Sequence, residues 1–254
     1  FPGVPIFTSK DLVNWKQVGH VLDRPSQLKV EKAGVSAGIY APDIKYNKYN
    51  DTFYMITTQI ASGIGNMVVK TKDPAKGWSE VQKLNFDGID PSIFFDDDGK
   101  AYHVASSEDN QTLHVSLLND DYTGFTNQYY RILEGQSNEA PAIFKRQGKY
   151  YLIASGTTGW KPNPGRSFTA DNIYGPWENL GNPGKGSKED LATTFRSQST
   201  FVIPHPKKKD QFIYLGDRWT PEVAAEGKLI WLPLIFEQNK PIIYWEESLE
   251  KVVK

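Results

Sequence analysis

The chain reads as an all-β protein, a five-bladed β-propeller, on three observations. Short runs rich in Val, Ile, Thr, Phe and Tyr alternate with clusters of Gly, Asn, Asp and Pro. No long apolar pattern of period 3.6 interrupts them, so the crossover helices of a parallel sheet have no place in the chain. A proline-led frame also recurs. Ala41-Pro42-Asp43-Ile44, Asp90-Pro91-Ser92-Ile93 and Ala140-Pro141-Ala142-Ile143 set their prolines 49 and 50 residues apart (91 − 42 and 141 − 91). A repeat of that length made of about four strands marks propeller blades.

In chain order, the opening Phe1-Pro2-Gly3-Val4-Pro5-Ile6 starts inside a structural unit and leads to Ser9-Lys10-Asp11-Leu12-Val13-Asn14-Trp15. Residues preceding Phe1 are therefore expected. The first frame feeds a hairpin through Tyr46–Asp51 into Phe53–Thr57 and Met67–Lys70, and ends on Thr71-Lys72-Asp73-Pro74-Ala75-Lys76-Gly77-Trp78. The second turns through Asp96-Asp97-Asp98-Gly99-Lys100 into Ala101–Val104 and Leu113–Ser116. The third turns through Arg146-Gln147-Gly148-Lys149 into Tyr150–Ala154 and ends on Thr169–Trp177. A fourth copy, Ser197-Gln198-Ser199-Thr200-Phe201-Val202, follows after loops around Pro162 and Pro183 and leads to Phe212–Leu215. In each closing segment an acidic turn precedes a tryptophan expected to cap the outer strand. Four frames and the opening unit make five blades over residues 1–254, taken as a single domain. The first blade is incomplete at its N-terminus, or is closed by Pro241-Ile242-Ile243-Tyr244-Trp245.

Composition excludes several functions. Lys and Arg number 29 against 30 Asp and Glu, so no basic field favours nucleic acid or an anionic membrane surface. The chain has no cysteine, which excludes disulfides, thiolate metal sites and a cysteine nucleophile. No apolar run approaches the roughly 20 residues of a membrane span. Seven Trp and 13 Tyr serve either as packing or as a surface that stacks on sugar faces.

The candidate site lies where inner strands begin, because in a propeller those positions converge. Glu139 sits on the uncharged run Asn138–Phe144, where partial burial favours a carboxyl's neutral form and makes it a proton donor. Asp90 stands in what reads as the matching frame one repeat earlier. Tyr40 to Asp43 and Gln198 begin the other inner strands, Gln198 as a neutral group aimed at a sugar hydroxyl or a water. Arg218, in Asp217-Arg218-Trp219, is either half of a buried ion pair or an anchor for a substrate hydroxyl. Trp160, on a glycine-marked loop, suits a sugar-binding rim, with Tyr40 and Phe1 as further apolar walls. The four histidines lack metal-ligand spacing, and Asp96–Asp98 form a hairpin tip without the alternation and closing Glu of a calcium loop, so no metal ligand is assigned.

Phe1–Ile6, Ser9–Trp15, Gly19–Leu28, Asp90–Lys100 and Glu139-Ala140-Pro141 together resemble glycoside hydrolase family 43, in its β-xylosidase and α-L-arabinofuranosidase branch. Ser155–Trp160, Gly175-Pro176-Trp177, Ser197–Val202 and Gly216–Trp219 are more similar to its exo-β-1,3-galactanases. The resemblance implies a five-bladed propeller that cleaves glycosidic bonds with inversion. Glu139 would be the general acid, Asp90 the aspartate that tunes and orients it, and Asp43 a supporting residue of the substrate site. The family's general base lies upstream of the Phe-Pro-Gly-Val segment. It therefore precedes Phe1, or Gln198 replaces it as in the galactanase branch, or the polypeptide is inactive. The expected function is exo-acting removal of a terminal pentose, α-L-arabinofuranose or β-xylose, from plant cell-wall polysaccharide. The alternatives are an exo-β-1,3-galactanase acting on arabinogalactan and a non-catalytic carbohydrate-binding propeller. No cofactor is required, a structural calcium is allowed, and an extracellular or periplasmic bacterial location is expected.

Overall fold

A computed structural model describes residues 3–28, 37–60 and 63–254. Phe1, one of the expected apolar walls, lies outside the described residues. The chain divides into two compact units, one running to Asp109 and resuming over His114–Tyr130, the other comprising Asn110–Leu113 and Arg131–Lys254.

The first unit opens with a two-stranded antiparallel ribbon, β1 (Gly3–Ser9) and β2 (Trp15–Leu22). Its turn is set by Asp11, whose carboxylate accepts from the backbone N–H of Val13 (2.9 Å) and Asn14 (2.7 Å) and from Asn14 Nδ2 (2.8 Å). Those donors, the Asn14 side chain foremost, hold the Asp11 carboxyl well below the usual range. Next comes a four-stranded sheet of β3 (Ile39–Asn47), β4 (Thr52–Gln59), β5 (Gly65–Thr71) and β6 (Gln82–Lys83). Alternation along β4 sends Met55 into a core with Ile6, Val21 and Leu22 of the ribbon. Tyr54 and Ile56 go to the other face, with Ile93 and Ala101 of the following sheet. Both faces are covered, so β4 is a nearly continuous buried run. That following sheet orders β7 (Ile89–Phe95), β8 (Ala101–Ser107), β9 (Thr112–Leu118) and β10 (Phe125–Ile132) in sequence.

The second unit holds β11 (Asn138–Arg146), β12 (Lys149–Gly156), β13 (Arg166–Ala170) and β14 (Glu178–Gly181) in one antiparallel sheet. Its last sheet contains β15 (Gly184–Lys185), β16 (Gln198–Pro204), β17 (Phe212–Arg218), β18 (Lys228–Glu237) and β19 (Lys240–Tyr244), in the order 15-19-18-17-16. Ala142, Phe144, Tyr151 and Ile153 of the first sheet pack on Val202, Phe212, Tyr214 and Leu232 of the second. A short helix, α1 (Lys188–Thr193), lies between β15 and β16, and a second, α2 (Leu249–Val253), follows β19. The reading as strands and loops misses α1, although Ser187 and Asp190 form a reciprocal capping box before it.

The all-β propeller reading holds, with four blades of four or five strands rather than five. The opening unit supplies only the ribbon. The C-terminal strand does not close it, since β19 runs between β18 and β15 in the last sheet. The tryptophan turns also differ from expectation. Trp15, Trp78 and Trp177 each donate their indole N–H back to a carbonyl three or four residues earlier. Only Trp78 is buried, at 1% exposure, whereas Trp15 is 43% exposed, so the shared motif closes a turn and does not always cap a sheet.

Proline explains the recurring frame. It has no N–H to give a ladder, so within a sheet it is confined to edges and bulges. Ala41-Pro42 faces the single residue Thr57, Asp90-Pro91 faces Ala105, and Ala140-Pro141 faces Ala154, as the shifted registers on either side require. The residue before each proline is left-handed, at φ 43° for Ala41, 54° for Asp90 and 53° for Ala140. The equivalence assumed between Asp90 and Glu139 is thereby corrected. Asp90 is the bulged residue and corresponds to Ala140, whereas Glu139 stands one position earlier, where Tyr40 and Ile89 stand. In β16 the register also shifts by one residue, at Thr200, with neither a proline nor a left-handed residue.

Asp43 follows the first bulge and is only 5% exposed. Its Oδ2 accepts from Ser92 Oγ (2.9 Å) and from the Ile93 backbone N–H (2.8 Å), and Lys45 Nζ stands 3.1 Å from Oδ1. The carboxylate is committed inside the protein, where it ties β3 to β7 two residues beyond Asp90. Asp43→Ala strands two donors and a cation, and is expected to lower stability by about 2–4 kcal/mol in urea unfolding. A loss under ~0.5 kcal/mol would contradict this account.

Candidate active site

Glu139 begins β11 and is 8% exposed, directly opposite Ser155 of β12. Asn110 donates from Nδ2 to its Oε1 at 2.9 Å. The loop that delivers Asn110 is unusual, because Glu108, Asp109 and Asn110 are all left-handed, at φ 55°, 55° and 61°. Successive non-glycine residues in that region are disfavoured and persist only where surroundings enforce them. Here the next residues are fastened: Ser137 N–H donates to Gln111 O (3.0 Å) and Gly135 N–H to Thr112 Oγ1 (3.4 Å). Arg166 secures the segment entering β11, donating from Nη1 to Gln136 O (2.5 Å), Ser137 O (3.0 Å) and Asn138 Oδ1 (3.0 Å). The acid is thus braced on both sides.

Within the first unit, Asp90 is half-buried at the start of β7. Asn66 Nδ2 donates to Gly88 O at 2.8 Å, and a Cβ on Gly88 would lie 2.0 Å from Ser106 O. Only glycine permits that approach, which sets the line of Ile89-Asp90. Tyr40 is half-buried on β3, and its carbonyl accepts from Thr57 Oγ1 at 2.5 Å. His103, buried and with its pKa pushed down to about 3 chiefly by desolvation, is a neutral core residue. Among the described residues no group of three or more His, Cys, Asp or Glu is arranged to hold a metal.

The second unit brings Trp160, Gln198 and Arg218 to one cleft of about 510 Å³. Gln198 donates from Nε2 to Ser155 Oγ at 2.7 Å, so it is linked to the strand position opposite Glu139. Arg218 does not pair with Asp217. Its Nε and Nη2 donate to Phe195 O (3.2 and 2.6 Å), and its guanidinium lies 5.2 Å from the Trp245 ring centre. That carbonyl belongs to Thr194-Phe195-Arg196, a second left-handed triplet (φ 48°, 57° and 58°), so Arg218 braces the end of α1.

Sequence reasoning passes over three residues that matter here. Asp217 lies directly opposite Gln198 and lines the cleft, its carboxyl pushed up to about 6 by burial, which outweighs a hydrogen bond from Trp219. Trp219 packs edge-to-face on Trp160 at 5.1 Å. Both stand in the segment Gly216–Trp219, where only Arg218 was singled out. Asn110 carries no local signal, since its polar loop reads as an ordinary turn.

Burial of the Asp217 carboxylate has a measurable consequence. Its folded pKa exceeds its unfolded value of 3.8, so the penalty is absent below pH ~4, grows as pH rises towards 6, and is complete above it. Asp217→Asn removes the titration and should gain stability over wild type between pH 4 and 7.5, by at most ~3 kcal/mol. Paired thermal melts across that range check it, and a constant difference would refute it.

The profile of the family described as glycosyl hydrolases family 43 matches residues 1–228. A xylosidase/arabinosidase of Butyrivibrio fibrisolvens is 41% identical over 168 residues, which cover 60% of this chain and 32% of that protein. The chain spans about a third of the length of the curated relatives it matches first. Among solved structures, a family 43 β-1,3-galactosidase bound to galactodeoxynojirimycin is similar at a TM-score of 0.81 and 32% identity, covering 96% of this chain and 86% of that one. An exo-β-1,3-galactanase of Clostridium thermocellum is similar at a TM-score of 0.81 and 30% identity, covering 94% and 54%. A profile match across nine-tenths of the sequence, on a chain with these blades, places it in a family: it belongs to glycosyl hydrolase family 43.

Proposed function

We propose that this chain is the propeller of an exo-acting, inverting glycoside hydrolase that removes a terminal pentose, α-L-arabinofuranose or β-xylose, from plant cell-wall polysaccharide. The observation that carries the reading is Glu139, a buried carboxyl at the mouth of an inner strand, with one oxygen held by Asn110. In its protonated form Glu139 gives a proton to the leaving glycosidic oxygen while a water attacks the anomeric carbon from the opposite face. Asp90 is assigned the role of tuning carboxylate on the resemblance and on its strained backbone at φ 54°. Gln198 is the candidate for holding the attacking water, unless an aspartate preceding Phe1 does so. The identity to a xylosidase/arabinosidase supports the pentose. An extracellular or periplasmic site of action goes with a polymeric substrate.

A second reading, an exo-β-1,3-galactanase, is favoured by Gln198 in an aromatic cleft and by the galactose-specific structural relatives. The two readings separate on 4-nitrophenyl α-L-arabinofuranoside, β-xyloside and β-galactoside assayed with the full-length protein, beside β-1,3-galactobiose. Binding without hydrolysis of any of them would favour a carbohydrate-binding propeller.

Glu139→Gln is expected to lower kcat by about 10²–10⁴-fold on sugars with poor leaving groups while leaving binding largely intact. Retention of most of the activity would reject the acid assignment. Asn110→Gly, which keeps the left-handed backbone without strain, should lower kcat by roughly 10–100-fold, through misorientation of Glu139, with little change in melting temperature. NMR of the first-formed product anomer checks inversion.

A further inference from the structure

The cleft around Gln198 holds an acidic group that the proposed chemistry leaves unused. Asp217 and Gln198 are directly paired on β17 and β16, and Trp160 and Trp219 stand beside them, 44% and 37% exposed. Among the described residues no cation pairs with Asp217. Arg218 is turned to Phe195 O and Trp245, and Arg196 is paired with Glu189 at 2.5 Å. Lys161 lines the same cleft, but no ion pair joins it to Asp217 among the described residues. Tyr214, the other titratable neighbour, is buried and bonded to Ser197 Oγ. Among the described residues only Trp219 hydrogen-bonds the carboxyl. An ionised carboxylate has about four acceptor sites, so most of its capacity faces the cleft. A half-buried acid without a counter-ion destabilises the fold, and such groups cluster where a ligand uses them.

We propose that Asp217 is the specificity-determining anchor of a neutral-sugar subsite, its carboxylate accepting hydrogen bonds from two adjacent hydroxyls of a ring that stacks on one indole of the edge-to-face Trp160–Trp219 pair. The inference rests on the glycosidase reading for its substrate class. Hydroxyls are the matching donors for an acceptor-only group, and the tryptophan faces suit the C–H face of a sugar. An anionic sugar group placed on the Asp217 acceptors would meet like charge there. A volume of about 510 Å³ lies within the usual ~300–1,000 Å³ of small-molecule sites. The bond from Gln198 to Ser155, which faces Glu139 across β11 and β12, sets the subsite beside the strand of the acid.

Burial raises the Asp217 pKa to about 6, so the competent ionised form dominates at pH 7 and falls to about one-tenth at pH 5. Sugar affinity should therefore weaken about 10-fold over that interval. The test uses calorimetry with xylobiose, α-1,5-arabinobiose and β-1,3-galactobiose on the Glu139→Gln protein, with and without Asp217→Asn, at both pH values. The expected result is tighter binding of at least one disaccharide at pH 7 than at pH 5. Adding Asp217→Asn should cost about 10-fold at pH 7 and abolish the pH dependence. In the otherwise native enzyme, Asp217→Asn should raise KM and leave kcat nearly unchanged. Carboxyl carbon NMR of the unmutated residue provides a second readout that does not depend on how the variant folds: saturating sugar should lower the Asp217 pKa. Unchanged affinity in the variant, a pH dependence that persists in it, a titration indifferent to sugar, or failure of all three probes to bind would each overturn the anchor. Binding that depends on Asp217 without hydrolysis by the native enzyme would overturn the hydrolase reading alone.

Discussion

Proline cannot give a hydrogen to a β-ladder, and three of the four blades in this chain place one near the start of their inner strand. Each must therefore open its ladder at that point. The extra residue is thrown into the left-handed region, and the side chains on either side of it are turned to different directions. Asp90 occupies the thrown-out position, and Glu139 the position just before it. The two carboxylates are thus presented by neighbouring steps of one backbone device, not by identical ones. Asp43, Gly88 and Asn66 hold the strand start in the first unit, while Arg166 and Asn110 do so in the second.

Backbone strain gathers where the chemistry is assigned. Two triplets of non-glycine residues run left-handed, Glu108–Asn110 and Thr194–Arg196. The first delivers the donor that holds Glu139; the second offers the carbonyl that holds Arg218. Phe195 is a bulky residue in this conformation and is 1% exposed, so its packing offsets the unfavourable dihedral. Strain of this kind is tolerated because many neighbouring groups fix the geometry at once.

Much of this architecture was legible in the residues. The spacing of Pro42, Pro91 and Pro141 marks the blades, and the same frames point to Asp90 and Glu139. The one-residue offset between them is in the residues too, since Asp90 directly precedes Pro91 whereas Glu139 stands two places before Pro141; what could not be read was that the frame is a bulge, which becomes visible only against the strand it pairs with. The fate of Asp43 was hidden for the same reason: its partners, Ser92 and Ile93, lie one repeat away. Asp217 illustrates a different limit. Beside Arg218 it reads as half of an ion pair, but alternation along β17 and the pull of the Phe195 carbonyl separate the two charges. The number of blades was overestimated because the Asp-turn-Trp signature of the ribbon belongs to the outer pair of strands and implies nothing about an inner pair.

Strand β4 serves two hydrophobic layers at once, Met55 toward the ribbon and Tyr54 and Ile56 toward the next sheet. Stripping away either cover would wet the same stretch of backbone. The ribbon, for all its shortness, is therefore bound into the melting of the whole first unit, and its amide protons should begin to trade with solvent only when those of β4 do.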